Sequence, residues 1–259
     1  MSAPRVSRRG LIGAASASFG GLMLAGCDRL GQAPPLSKFL GSAEGLTYRA
    51  QRLLLAGQPL AREFSVRDIS PVFKSNGTSM PGSDVYKMWL GNSFADWRLG
   101  VGGMVRNPMT LSLADLRAMP ARTQITRHDC VEGWSAIGQW RGAPLAHVLA
   151  MAGVLPGARY AVFYCADDLD DSLDGSGQYY ESVDLVDAFH PQTILAYDLN
   201  GKALDPAHGA PLRLRVERQL GYKHAKYLMR IAMVSHLDDI KGGQGGYWED
   251  RGYEWYAGI

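Results

Sequence analysis

Residues 193–204 read TILAYDLNGKAL. Two extended runs, Thr193 to Leu199 and Lys202 to Leu204, flank Asn200-Gly201. Asn-Gly accepts the positive φ angles of a type I′ turn, so this stretch predicts a β-hairpin. Strand patterns repeat outward from it. Leu212 to Glu217 and Leu228 to Val234 follow. Tyr160 to Cys165, Trp97 to Val105, and Gln124 to His128 running into Cys130 precede it. Helix signals are fewer and shorter. Ser112 with Asp115 forms a capping pattern for a helix that stops before Pro120. Pro144 to Met151 starts on a proline and is followed by Gly153. Leu46, Ala50, Leu53 and Leu54 recur at helical spacing and place a helix at Ala43 to Ala56. Many short strands with few short helices predict a β-rich α+β single domain. No internal repeat, low-complexity tract or composition break suggests a second domain.

Composition agrees with a folded globular protein. The 259 residues are 46% hydrophobic and 20% charged, which excludes disorder, a fibrous repeat and a disulfide-dense mini-protein. The net charge is +2, from 27 basic and 25 acidic residues. Arg5, Arg8 and Arg9 lie in residues 1–26, which hold no acid; without these three the basic count is 24 against 25. The excess is too small, and in the wrong place, for a nucleic-acid binder.

Residues 1–26 read as a targeting segment, 27–41 as a tether and 42–259 as the domain. The basic stretch Arg5 to Arg9 precedes a weakly apolar run, Leu11 to Gly26. Ser7-Arg8-Arg9-Gly10-Leu11-Ile12 fits a twin-arginine export signal. Leu24-Ala25-Gly26-Cys27 fits a bacterial lipoprotein cleavage site with Cys27 as the acylated residue. These patterns predict a periplasmic protein held by lipid to the inner membrane. A general secretory signal with two chance arginines is the alternative. The twin-arginine route carries folded proteins, which hints at a cofactor loaded before export.

With Cys27 assigned to lipid, Cys130 and Cys165 are left. They could form a disulfide in an oxidising compartment, lie buried as free thiols, or work as a redox pair. Cys130 stands in Arg127-His128-Asp129-Cys130-Val131-Glu132-Gly133-Trp134-Ser135. Nearby Arg127 and a backbone amide could favour thiolate, which is a nucleophile or a soft metal ligand. A second metal pattern runs from Asp170 through Ser172, Asp174 and Gly175 to Glu181. It fits a calcium loop, but the strand before it and Gly177 argue for a solvated acidic loop. Arg213, Lys223 and Lys226 on their own read as an exposed strand edge and a solvated face.

Three segments in order carry a resemblance. Residues 127–135, followed by Trp140-Arg141-Gly142-Ala143-Pro144-Leu145, come first. Then come His208-Gly209-Ala210-Pro211-Leu212-Arg213 and Gly221-Tyr222-Lys223-His224-Ala225-Lys226. Together they resemble the sulfite oxidase family of molybdopterin-dependent oxidoreductases, in its exported bacterial branch, from about Val72 onward. The resemblance implies that family's molybdopterin-binding fold and a mononuclear molybdenum with one pterin. Cys130 matches the protein thiolate on the metal. Asn76, Arg213 and the triplet Gly221, Tyr222 and Lys223 match contacts to the pterin and its phosphate, and Lys226 is a further phosphate partner. Cys165 and His208 fall at cofactor-contact positions where that branch has Thr and Asn. Ser79 and Met80 stand where it has Tyr-Glu.

Glu132 and His128 lie beside the implied ligand. Glu132 could relay protons, and His128 could do the same or brace the loop. The implied reaction is two-electron oxygen-atom transfer on a small, sulfur-containing or related substrate. Electrons would pass singly to or from a haem protein or cytochrome, and the protein would be a monomer. The competing reading is an exported binding lipoprotein whose metal site has decayed. The aromatic stretch Gly245 to Tyr256 would either complete the core or form a lid or docking face.

Overall fold

The computed structural model describes residues 45–54, 59–170 and 177–259. The leader, Cys27 and the tether lie outside these residues, as do the middle positions of the calcium-loop pattern. The chain divides by packing into two units, Met1–Leu55 and Ala56–Ile259. The described part of the first is a helix at 45–54, inside the predicted span. No helix among the described residues is long and apolar enough to cross a membrane.

The second unit is built on two sheets. The first has the order β2-β1-β10-β5-β6, with β1 at Arg98–Gly103, β2 at Met109–Ser112, β5 at Tyr160–Asp168, β6 at Gln178–Asp184 and β10 at Leu228–Val234. Its β1–β10 pair is parallel and the other pairs are antiparallel. The second sheet has the order β3-β4-β7-β8, with β9 also paired to β7. These strands span β3 Arg122–Cys130, β4 Trp134–Pro144, β7 Ile194–Leu199, β8 Lys202–Ala203 and β9 Arg213–Arg215. Leu99 and Phe163 from the first sheet share one core cluster with Leu195 and Leu214 from the second. The architecture is β-rich α+β, as the strand count predicts.

Local chemistry explains the elements. Asn200 and Gly201 have φ of 52° and 77° and join β7 to β8, as the hairpin reading requires. Ser112 and Asp115 form a reciprocal capping box on the helix Leu113–Ala118. The helix Leu145–Ala152 buries Leu145, Val148, Leu149 and Ala152, spaced three, one and three residues apart, and ends on left-handed Gly153. Four elements carry weaker signals: the helix Asp84–Gly91 and strands β2, β4 and β6. β4 holds Gly138, Gly142, Arg141 and a terminal proline, residues that argue against a strand. Gly142 is needed there, because a Cβ would sit 2.1 Å from the Leu195 carbonyl oxygen at a register shift.

β3 places the site. Its inward face alternates, but the residues are polar: Gln124, Thr126 and His128 are buried, ending in Cys130. Each such group needs a partner. Gln124 Nε2 donates to the Gln192 carbonyl at 3.0 Å and to Glu217 at 2.8 Å. β3 and β4 meet in a tight turn at residues 131–133, where Gly133 has φ of 84° and Cys130 faces Trp134 across the pair. The thiol therefore stands at a hairpin tip and not within a flat sheet.

Candidate active site

Cys130 opens onto a cavity of about 220 Å³. Asn76, Glu132, Gly221, Tyr222 and Lys226 also line it, so six of the predicted site residues converge from three separate stretches of chain. Burial, with Glu132 nearby, pushes the Cys130 thiol up from its ordinary range, although the Glu132 backbone N–H acts the other way. Arg127 does not help ionise it: its guanidinium turns outward to Asp129 at 2.9 Å. Glu132 accepts a 3.0 Å hydrogen bond from Trp134 Nε1.

The 3-10 turn Gly221–Lys223 presses against the end of β3. A Cβ at Gly221 would lie 2.6 Å from His128 Nε2, so only glycine lets the turn come this close to the hairpin that carries Cys130. His224 follows the turn and lines the cavity. Its Nε2 lies 3.0 Å from the Gln219 carbonyl and so carries the proton, while its buried Nδ1 has no hydrogen-bond partner. Burial, then Arg215, holds His224 well below the usual imidazole range.

The basic residues are buried, contrary to the exposed-edge reading. Arg213 donates to the His208 and His224 carbonyls at 3.1 and 3.3 Å and lies over the Trp140 ring. Burial, then Arg215, pulls its pKa down to about 9. Lys226 Nζ donates to the carbonyls of Asn76 at 2.6 Å, Ala207 at 3.2 Å and Thr78. Burial, then Arg213, pulls its pKa down to about 7. Asp167 also lines the cavity; burial raises it to about 6, and its Oδ1 has no hydrogen-bond partner.

Five predicted residues do not line the cavity: Arg213, described above, and four more. His128 does not line the cavity. Its Nδ1 accepts from Arg215 Nη1 at 2.9 Å, and burial, then Arg215, holds the ring well below the usual imidazole range where it packs against the Gly221 turn. Cys165 is fully buried in β5 and does not reach the cavity. Both cysteines are free thiols, so the disulfide does not form. The His208 ring is engaged by Asp205 and the Phe73 carbonyl, at 2.7 and 2.9 Å, and also lies outside the cavity lining. Lys223 is 1% exposed, with Nζ 2.5 Å from Glu181 and 2.6 Å from Glu249. Its ammonium is committed to protein carboxylates and not offered to a phosphate. The calcium loop fails for a related reason: its last ligand would be this same Glu181, and Asp170 binds Tyr247 and Arg251.

Sequence reasoning did not single out His224, Asp167 or Tyr179 as cavity residues, and it reached Trp248 and Tyr253 only through the lid alternative for the aromatic stretch. His224 lay inside a quoted motif without a role. Asp167 and Tyr179 had no spacing that marked them, since the fold brings them together from β5 and β6.

The model of the family described as oxidoreductase molybdopterin binding domain matches residues 88–239. This chain belongs to that family. Its cofactor is Mo-molybdopterin, and it is a molybdenum-cofactor oxidoreductase domain. An Azospira oryzae protein, provisionally named protein-methionine-sulfoxide reductase subunit YedZ1, is 41% identical over 164 residues. The match covers 63% of this chain and 56% of that relative, so the chain spans little more than half the relative's length. The crystal structure of the sulfane dehydrogenase SoxCD from Paracoccus pantotrophus is 25% identical with a TM-score of 0.48, over 54% of this chain and 38% of that one.

The side chains fit a molybdopterin. Among the described residues, no group of three or more His, Cys, Asp or Glu side chains could hold a metal alone. A metal at Cys130 therefore needs ligands brought by another group, as a pterin dithiolene does. Arg213 and Lys226 are buried cations whose hydrogen-bond partners are carbonyl oxygens, and the described ion pairs give neither a carboxylate. Such a pair suits a phosphate dianion.

Proposed function

We propose that this domain is an exported, lipid-anchored oxidoreductase that holds molybdopterin through Cys130 and transfers an oxygen atom to or from a small sulfur-containing or related substrate. One observation carries the reading. A single thiol on a cavity wall shares that cavity with Lys226, beside Arg213, and among the described ion pairs neither cation has a carboxylate partner. When bound, the cofactor supplies two-electron chemistry at molybdenum. Cys130 would hold the metal. Arg213 and Lys226 would take the phosphate, while Asn76, Gly221 and Tyr222 would seat the pterin. His224 offers a neutral acceptor nitrogen beside Gly221.

The sulfur substrate is supported by the name of the Azospira relative, a methionine-sulfoxide reductase subunit. Because two-electron chemistry must exchange electrons with single-electron carriers, the partner is a haem protein. Export by the twin-arginine route and acylation at Cys27 rest on the leader sequence. The test is elemental analysis of protein matured in its native cytoplasm, with Arg213→Met and Lys226→Met alongside. The reading expects molybdenum in the wild type and loss of the cofactor in both variants. Protein without molybdenum would refute it.

A further inference from the structure

We propose that the C-terminal strap, residues 245–256, forms the substrate-side wall of the Cys130 cavity and selects uncharged oxo compounds with a flat apolar substituent. Lys223 and Glu249 are its positioning residues. The inference rests on the molybdenum reading above and deepens it.

The strap closes a collar of rings. Tyr179, Tyr222, Trp248 and Tyr253 line the cavity. Ring centroids lie 5.6 Å apart for Tyr179–Tyr247, 5.2 Å for Tyr247–Trp248, 5.3 Å for Trp248–Tyr253 and 5.4 Å for Tyr253–Tyr222. Tyr179 Oη donates to the Tyr222 carbonyl at 2.6 Å and completes the circuit. A wall of this kind offers dispersion and ring–ring contact to an apolar group.

Charge excludes a different occupant. Glu132 and Asp167 are the acidic lining residues, and Lys226 is the lining cation. Its carbonyl partners hold the ammonium toward Asn76 and Thr78, whereas Tyr253 of the strap meets the Tyr222 ring edge-on. With Lys226 given to the cofactor, the other charged lining groups are Glu132 and Asp167, and these would repel a small oxyanion entering the cavity. They would not repel a neutral sulfoxide.

The wall is tied to the floor of the cavity. Lys223 follows Gly221 and Tyr222 in the same turn, and its ammonium joins Glu249 of the strap to Glu181 of β6. Tyr222 Oη donates to the Glu254 carbonyl at 2.6 Å, and Trp255 Nε1 donates to Ser182 Oγ at 2.8 Å. Asp250 accepts from Tyr180 Oη at 2.5 Å, and Arg251 pairs with Asp170. One ion cluster therefore sets where the rings stand relative to Tyr222.

The test uses the molybdenum-loaded full chain with three probes: methyl p-tolyl sulfoxide, dimethyl sulfoxide and sulfite. Binding to oxidised protein is measured by calorimetry. Turnover is followed with reduced methyl viologen as the donor; two electrons and two protons break the S–O bond and release sulfide and water. Trp248→Ala should weaken binding of the aryl sulfoxide and raise its KM about tenfold, the size of one lost aromatic contact. Its molybdenum content should stay within about twofold, and its KM for dimethyl sulfoxide should rise less than that for the aryl sulfoxide. Glu249→Ala should move KM the same way and Glu249→Gln should restore most of it; if Glu249→Ala does not fold, Trp248→Ala and Tyr253→Ala decide. Failure of the wild type to bind the aryl sulfoxide, preference for sulfite, or an unchanged KM in Trp248→Ala would overturn the proposal. Binding that depends on Trp248 without any reduction would refute oxygen transfer and leave the wall standing.

Discussion

Two pairs of buried cations lie within fourteen residues of each other and have opposite surroundings. Arg215 sits 2.6 Å from Glu217, and Lys223 sits between Glu181 and Glu249; all of these side chains are within 1% of full burial. Arg213 and Lys226 meet only carbonyl oxygens and ring faces in the described contacts. Burial acts against the charge in both pairs. In the first the fold supplies the counter-charge. Carboxylates more than offset burial at Lys223 and hold its pKa above the usual lysine range. In the second, carboxylates such as Asp167 and Glu217 act only from beyond contact in the described ion pairs, burial prevails, and the pKa values fall. A cation that the fold leaves uncompensated is placed for a ligand; one that it compensates is part of the frame.

The largest effect should come from breaking the frame. Lys223→Met leaves two carboxylates buried without their cation, and urea denaturation of the apo-protein should show a loss of about 3–5 kcal/mol. Lys226→Met should cost the apo-protein less than about 1 kcal/mol at neutral pH, or stabilise it. Equal losses in the two variants would erase the distinction.

The next effect sharpens it through pH. Lys226 falls from 10.5 to about 7 on folding. Between those values the unfolded chain holds more protons than the folded one. The burden is therefore complete below 7 and is relieved as pH rises toward 10.5, so apo-protein stability should climb over that window. Thermal melts of Lys226→Met should lack this part of the slope. Sulfate, a dianion throughout, should raise the wild-type Tm more at about pH 6 than at about pH 9, and should lose that difference in Lys226→Met. The smallest effect sets a scale remote from both pairs. Ser112→Ala removes a capping box and should cost about 1 kcal/mol in the same denaturation assay.

These differences mark where the sequence was legible. The Asn200-Gly201 hairpin, the Ser112 and Asp115 cap and the Gly153 stop depend on neighbours within a few residues, and each was readable. β4 was obscured because glycines that permit close approach to β7 also mimic a loop. Cys130, Asn76, Gly221, Tyr222 and Lys226 were found through the resemblance, and the cavity unites them. What separates Lys223 from Lys226 is Glu181, 42 residues away, and Glu249, 26 residues away. No local pattern carries pairings over such distances. The polar inner face of β3 hid His128 in the same way, since its partner Arg215 lies 87 residues on.

The proposed bond between the Cys130 sulfur and molybdenum is tested most directly by X-ray absorption at the molybdenum edge, on wild type and Cys130→Ser matured in the native cytoplasm. The account predicts either one fewer sulfur neighbour around the metal that the variant retains, or a variant that retains no molybdenum. An identical sulfur count at full molybdenum loading in both proteins would contradict it.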